Sequence, residues 1–284
     1  MSIKTIGVIG AGTMGSGIAQ VAATAGYQVI LTDIKKEFVD RGMGNIKKSL
    51  EKLSAKGKIK DSVETVIGRF TPAEGMEALK GADLVIEVII ENMEAKKKLY
   101  KEIDQICKPE AIFCSNTSGL SITEMGSVTK RADRVIGTHY FNPVPVMELV
   151  EIIRGYDTSD ETYTIVKDLC ESFGKKPITV NEAPLFAVNR ILVPMINEAV
   201  IVLQEGTATK EDIDLGMKLG ANHPIGPLAL ADMIGLDVLL MVMETLYEET
   251  ADSKYRPATL MRKLVRAGHY GRKTGRGFYD YTTT

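Results

Sequence analysis

Lys4-Thr5-Ile6-Gly7-Val8-Ile9-Gly10-Ala11-Gly12-Thr13-Met14-Gly15-Ser16 is the segment from which the rest of the architecture can be read. Thr5 to Ile9 is an apolar, β-branched run of strand type, and glycines at 10, 12 and 15 carry it directly into a helical pattern beginning near Ser16. In such a GxGxxG loop the first glycine permits the tight turn. The second lets the backbone approach a pyrophosphate with no Cβ in the way, and the third lets helix and strand pack closely. Backbone N–H groups at the helix start then meet phosphate oxygens. A second strand leads to Asp33, 18 residues beyond Gly15, where a carboxylate suits a ribose 2′-hydroxyl. That charge repels a 2′-phosphate, so NAD is expected before NADP, although Lys35 and Lys36 immediately downstream keep NADP open. FAD uses the same loop, and a glycine-rich turn without a ligand is the bland alternative.

Up to about residue 180, short β-branched runs alternate with helical patterns, the rhythm of a parallel sheet covered by crossover helices. Strands are expected at Thr5 to Ile9, Gln28 to Thr32, Val66 to Phe70, Leu84 to Val88, Ile112 to Ser115 and Val135 to Tyr140, with Leu149 to Ile153 and Pro177 to Val180 added later. Helices are expected from about Lys35 to Ala55 and from Met93 to Ile106. After Asn181 the strand rhythm largely stops, and Phe186 to Leu203 and Leu228 to Tyr247 read as helices. The expected fold class is therefore α/β, a Rossmann-like dinucleotide-binding domain over residues 1–183 followed by an all-helical C-terminal domain over 184–284.

The 284 residues are 44% hydrophobic and 25% charged, the composition of a globular protein. Lys+Arg 35 against Asp+Glu 37 gives a net charge of -2, so no global field recruits nucleic acid. Cys107, Cys114 and Cys170 form no CxxC pair, and the three histidines have no HExxH spacing, so neither a disulfide framework nor a metal site is expected. A reducing cytoplasm is the simplest setting, since the N-terminus has no leader pattern and the apolar stretches fall short of the roughly 20 residues of a membrane span.

Two local features carry possible chemistry. Lys48, Lys52 and Lys56 stand four apart in a lysine-rich stretch, one helix face that suits either a polyanion or simply solvent. His139 ends the strand-like Arg134 to Tyr140, and Glu151 lies 12 residues on among Leu149, Val150, Ile152 and Ile153. A buried carboxylate there needs a partner. Paired with His139 it fixes the imidazole tautomer and leaves the other ring nitrogen free to exchange a proton, while a hydrogen-bonded core histidine beside an unrelated Glu is the equal alternative. His223 and His269 sit in turn-like segments and are assigned no chemistry.

The motifs GVIGAGTMGSGIAQ at Gly7 to Gln20, ENMEAKKKLY at Glu91 to Tyr100, SNTSGLSIT at Ser115 to Thr123, GTHYFNPVPVMELVEII at Gly137 to Ile153, NRILVPMINEA at Asn189 to Ala199 and GRKTGRGFYDY at Gly271 to Tyr281 span essentially the whole chain. Together they resemble the short-chain L-3-hydroxyacyl-CoA dehydrogenase family, most closely its bacterial, clostridial-type 3-hydroxybutyryl-CoA branch. The resemblance implies NAD(H)-dependent interconversion of acetoacetyl-CoA and (S)-3-hydroxybutyryl-CoA, and a helical domain that mediates homodimerisation, with the active site in a cleft between domains. It implies His139 as acid/base, Glu151 as its orienting partner, Ser118 and Asn189 as contacts of the substrate oxygen, and Asn142 in support. Cofactor contacts would fall on Gly10, Gly12, Thr13, Met14, Gly15, Asp33, Glu91, Lys96, Asn116, Ser118 and Asn142. Lys52 and Lys56 would meet coenzyme A, whose phosphates supply the polyanion for the basic face.

One position departs from the family pattern: Leu185 in Ala183-Pro184-Leu185-Phe186 stands where glycine is usual. On a continuous helix it would share a face with Asn189, and Leu185→Gly is then expected to raise turnover. Two rival readings remain on the sequence: a dehydrogenase of free hydroxy or sugar acids, against which the lysine face argues, and a binding protein that has lost turnover, against which the joint presence of His139, Glu151, Ser118 and Asn189 argues.

Overall fold

The structure, a computed structural model, describes residues 3–282. The chain divides into two compact units, Met1–Phe186 and Ala187–Thr284. In the first, strands β1 (Thr5–Ile9), β2 (Gln28–Asp33), β3 (Phe70–Glu74), β4 (Leu84–Glu87), β5 (Ile112–Ser115), β6 (Val135–Tyr140), β7 (Leu149–Arg154) and β8 (Lys176–Asn181) form one sheet in the order β3-β2-β1-β4-β5-β6-β7-β8. Neighbours pair parallel except β6 and β7, so the last two strands run against the first six. Helices α1 (Thr13–Thr24), α2 (Lys36–Ser54), α3 (Val63–Ile67), α4 (Met93–Ile106), α5 (Ile122–Gly126) and α6 (Asp160–Ser172) complete the unit. The near-continuous apolar strands β1, β4 and β5 are buried, as a parallel sheet covered on both faces requires.

Four expectations are corrected, three of them here and one at Leu185 in the second half of the chain. Val66 to Phe70 is not a strand: Ser62 Oγ accepts from Thr65 N–H and caps the short helix α3, whose Val66 packs into the core. The strand follows, and because β3 pairs only with β2 at the sheet's edge it tolerates Pro72 and needs no apolar run. Helix α2 ends at Ser54, which leaves Lys56 in the turn beyond it rather than on the helical face of Lys48 and Lys52. Leu228 to Tyr247 is two helices rather than one, because Gly235 at φ +110° breaks the ladder between them.

The second unit holds α7 (Val188–Gln204), α8 (Lys210–Gly220), α9 (Pro227–Ile234), α10 (Leu236–Thr250) and α11 (Thr259–Arg266). Its tail is pinned by Asp232, which accepts from Phe278 N–H, Tyr279 N–H and the Tyr281 hydroxyl. Leu185 and Phe186 lie outside α7, both at φ +60°, so Leu185 shares no helix face with Asn189. A left-handed residue other than glycine costs about 1–2 kcal/mol, and burial of both side chains offsets it. Among the described residues, no helix is long and apolar enough to cross a membrane.

Cys107, Cys114 and Cys170 are free and buried. Burial pushes the Cys107 thiol up to about 11 and the Cys170 thiol up to about 12, and holds Cys114 well above the ordinary thiol range. A thiol at pKa 11 is roughly one part in a thousand thiolate at pH 8. Ellman titration at that pH is therefore expected to find essentially no reactive thiol in the folded protein and all three after denaturation. Rapid labelling of the native chain would contradict the burial.

Candidate active site

β1 sits between β2 and β4, the point where strand order reverses and a crevice opens at the strands' C-terminal ends. Gly10 takes φ +103°, and a Cβ on it would lie 2.5 Å from Val88 O. A Cβ on Gly15 would meet Gly10 O at 1.8 Å, so neither position accepts a side chain. Gly12 faces open space, and α1 begins behind it at Thr13 and Met14 with no side-chain cap, leaving backbone donors for an anion. At the tip of β2 the Asp33 carboxylate accepts from Ala11 N–H at 2.8 Å and Ile34 N–H at 2.7 Å, which ties it to the glycine loop. Beside them lies a cavity of about 370 Å³ lined by Asp33, Ile34, Met76, Ala95 and Lys98 among others. Apolar walls with a carboxylate at the rim fit the adenosine half of a dinucleotide. Ala95 and Lys98 lie in the ENMEAKKKLY segment but were given no role in the sequence, and Met76 belongs to no motif there.

Strands β4 and β5 end in a charged network. Glu87 is fully buried and accepts from Lys96 Nζ at 2.6 Å, Ser115 Oγ at 2.7 Å and Ile89 N–H at 2.7 Å. Lys96 Nζ also lies 3.6 Å from Glu91, which in turn accepts from Thr117 Oγ1 at 2.6 Å and Ser118 N–H at 2.8 Å. The Lys96 ammonium is thus engaged by two carboxylates, and the network joins the loop after β4 to the loop that carries Ser118. Asn116 extends it: its Oδ1 accepts from Tyr140 N–H at 3.0 Å, linking the ends of β5 and β6. Glu87 was not singled out in the sequence because it reads there as one more strand residue.

The antiparallel β6–β7 pairing sets His139 directly opposite Glu151. His139 Nδ1 lies 2.7 Å from Glu151 Oε2, with the His side chain 7% and the Glu 0% exposed. The imidazole packs at a tilt against Phe141, with ring centroids 4.6 Å apart, and Phe186, at 6.0 Å. The following segment passes through the cis Asn142-Pro143 bond, and Asn142 is exposed there. Lys175, also unflagged by sequence, anchors this segment by donating to Val144 O at 2.5 Å and Met147 O at 2.8 Å, and burial lowers its pKa. The first unit therefore brings together His139, Glu151, Asn116, Glu91, Lys96 and the backbone of Ser118. Lys52 and Lys56 lie exposed on α2 and the turn after it. Asn189 occupies the first turn of α7 in the second unit.

Residues 5–183 match the model of the NAD-binding domain of 3-hydroxyacyl-CoA dehydrogenase, and residues 186–281 that of its C-terminal domain. A probable 3-hydroxybutyryl-CoA dehydrogenase of Deinococcus radiodurans is 54% identical over 275 residues, 97% of this chain and 99% of that protein. The 3-hydroxybutyryl-CoA dehydrogenase of Clostridioides difficile is 50% identical over 277 residues, covering 97% of this chain and 99% of that one. The crystal structure of the (S)-3-hydroxybutyryl-CoA dehydrogenase of Ralstonia eutropha superposes with a TM-score of 0.97 at 55% identity, covering 99% of this chain and 100% of that one.

Removing the single cation from the Glu87–Lys96–Glu91 network leaves a buried carboxylate without its counter-charge. Lys96→Met is expected to lower unfolding free energy by about 3–5 kcal/mol, measured by urea titration. An unchanged midpoint would show that the network carries no such weight.

Proposed function

Because the chain belongs to the 3-hydroxyacyl-CoA dehydrogenase family, we propose that it interconverts acetoacetyl-CoA and (S)-3-hydroxybutyryl-CoA, with His139 and Glu151 as the acid/base pair. The observation that carries this reading is the buried 2.7 Å contact between His139 Nδ1 and Glu151 Oε2. NAD(H), when bound, supplies or accepts the hydride at C3. Everything else falls to the chain's own side chains. Glu151 holds the Nδ1 side of the imidazole and stabilises its protonated form, so the proton exchanged with the substrate oxygen resides on Nε2. In reduction that nitrogen gives its proton to the oxygen of the 3-keto group; in oxidation it removes the proton of the 3-hydroxyl.

Ser118 and Asn189 are proposed to hold the substrate oxygen and Asn142 to support the pair. Gly10, Gly12, Thr13, Met14 and Gly15 would bind the pyrophosphate and Asp33 the adenosine ribose, while Glu91, Lys96 and Asn116 would shape the nicotinamide end. The Asp33 charge supports NAD over NADP. Lys52 and Lys56 are exposed, and among the described residues neither enters an ion pair, which supports their use on the phosphates of coenzyme A. A second copy of the chain is the proposed partner, supported by the exposed apolar side chains of Ile191, Leu219, Met233 and Met241 in the second unit, with the cytoplasm as the setting.

The test is the loss of NADH absorbance with acetoacetyl-CoA. Turnover is expected with NADH and much less with NADPH or free acetoacetate, and His139→Ala is expected to lower kcat by about 10²–10⁴-fold. An inert wild type, or an unimpaired His139→Ala, would sink the proposal. On the same assay Lys52→Glu combined with Lys56→Glu is expected to raise KM for acetoacetyl-CoA roughly tenfold while leaving KM for NADH in place. Equal effects on both constants would argue against a coenzyme A contact.

A further inference from the structure

The segment Ala183-Pro184-Leu185-Phe186 closes a turn in which Phe186 N–H donates to Ala183 O at 3.0 Å. With proline second and a residue at φ +60° third, this is a type II turn, whose third position normally takes glycine. Leu185 keeps that conformation without glycine's freedom, and its side chain is 3% exposed. What it packs against is Gly119. A Cβ placed on Gly119 would lie 2.7 Å from Leu185 Cδ2, so the leucine occupies the space a side chain there would need. Gly119 directly follows Ser118. One residue before the turn, Glu182 accepts from the Ser121 hydroxyl and from Thr123 N–H (2.8 Å) and Oγ1 (2.5 Å), so residues 182–185 grip the 119–123 segment at both of its ends.

We propose that Leu185 is a positioning residue: wedged against Gly119, it holds Ser118 where that hydroxyl meets the acyl substrate. The inference rests on the substrate role proposed for Ser118, and it goes beyond that role by assigning the geometry of the loop to a residue outside the proposed ligand contacts. Two forces oppose each other at one position. The left-handed backbone favours glycine, while the wedge requires a large apolar side chain, and the chain retains the latter. This reverses the expectation, drawn from a continuous helix, that Leu185→Gly raises turnover.

The test compares wild type with Leu185→Gly, Leu185→Ala and Leu185→Met in three measurements: steady-state reduction of acetoacetyl-CoA, NADH affinity by fluorescence, and hydrogen exchange of the amides at 118–120. Leu185→Gly relaxes the turn and so remains folded, which keeps the comparison interpretable. Loss of the wedge is expected to lower kcat/KM for acetoacetyl-CoA roughly tenfold in the Gly and Ala variants and to speed exchange at 118–120. NADH affinity should stay within about twofold, and Leu185→Met should restore most of the activity by refilling the space. If Leu185→Gly matches or exceeds wild-type kcat/KM, or exchange at 118–120 is unchanged, the wedge is wrong. An inert wild type whose exchange still accelerates in Leu185→Gly would instead overturn the substrate reading and leave the wedge standing.

Discussion

The reversal of chain direction between β6 and β7 is the constraint on which the candidate site depends. In a parallel pair a crossover of a dozen or more residues separates neighbouring strands, and two residues 12 apart in sequence could not face each other. The antiparallel return makes His139 and Glu151 cross-strand neighbours on one face, in the interior of a sheet that excludes water from the carboxylate. Register then matters absolutely, because a slip of one residue would turn Glu151 to the other face and put an aliphatic side chain opposite the imidazole. Pairing of β7 with β8 on its far side fixes that register from both edges.

Around this pair the sheet's C-terminal edge is rich in buried polar groups, each of them costly unless partnered. Glu87 accepts from three donors and Glu151 faces the His139 imidazole, so the carboxylates buried at this edge have partners. The consequence is rigidity where loops would otherwise drift. The loops after β4 and β5 share one hydrogen-bonded network, and the segment after β6 is held by Lys175. A pre-organised edge of this kind lets a ligand bind without first ordering the chain.

Much of this was legible in the chain. The glycine loop, five of the six strands expected up to Tyr140 and the acid at Asp33 follow from local rules, because a tight turn, a close approach and a buried β-branched run leave few residue choices. The His139–Glu151 partnership was legible as a possibility, since a lone carboxylate amid aliphatic residues demands a counterpart. Other features were not. Val66 and Ile67 have strand-like chemistry but form a helix, because a capping serine and a place in the core outweighed β-propensity. Gly235 lies inside the stretch Leu228 to Tyr247 that reads as helical, yet at φ +110° it is a break, and Leu236 N–H after it donates to Tyr270 O far along the chain.

The dinucleotide-binding α/β plan, the helical second half and the family are written in the chain, because they rest on periodicity, turn chemistry and motifs carried by contiguous residues. Which side chains meet was set by tertiary packing. It paired Ser115 with Glu87, set Leu185 against Gly119 and brought Met76 and Lys98 to one cavity. Contacts between segments tens of residues apart depend on how sheet and helices pack as a whole, and no local pattern encodes the partner across that distance.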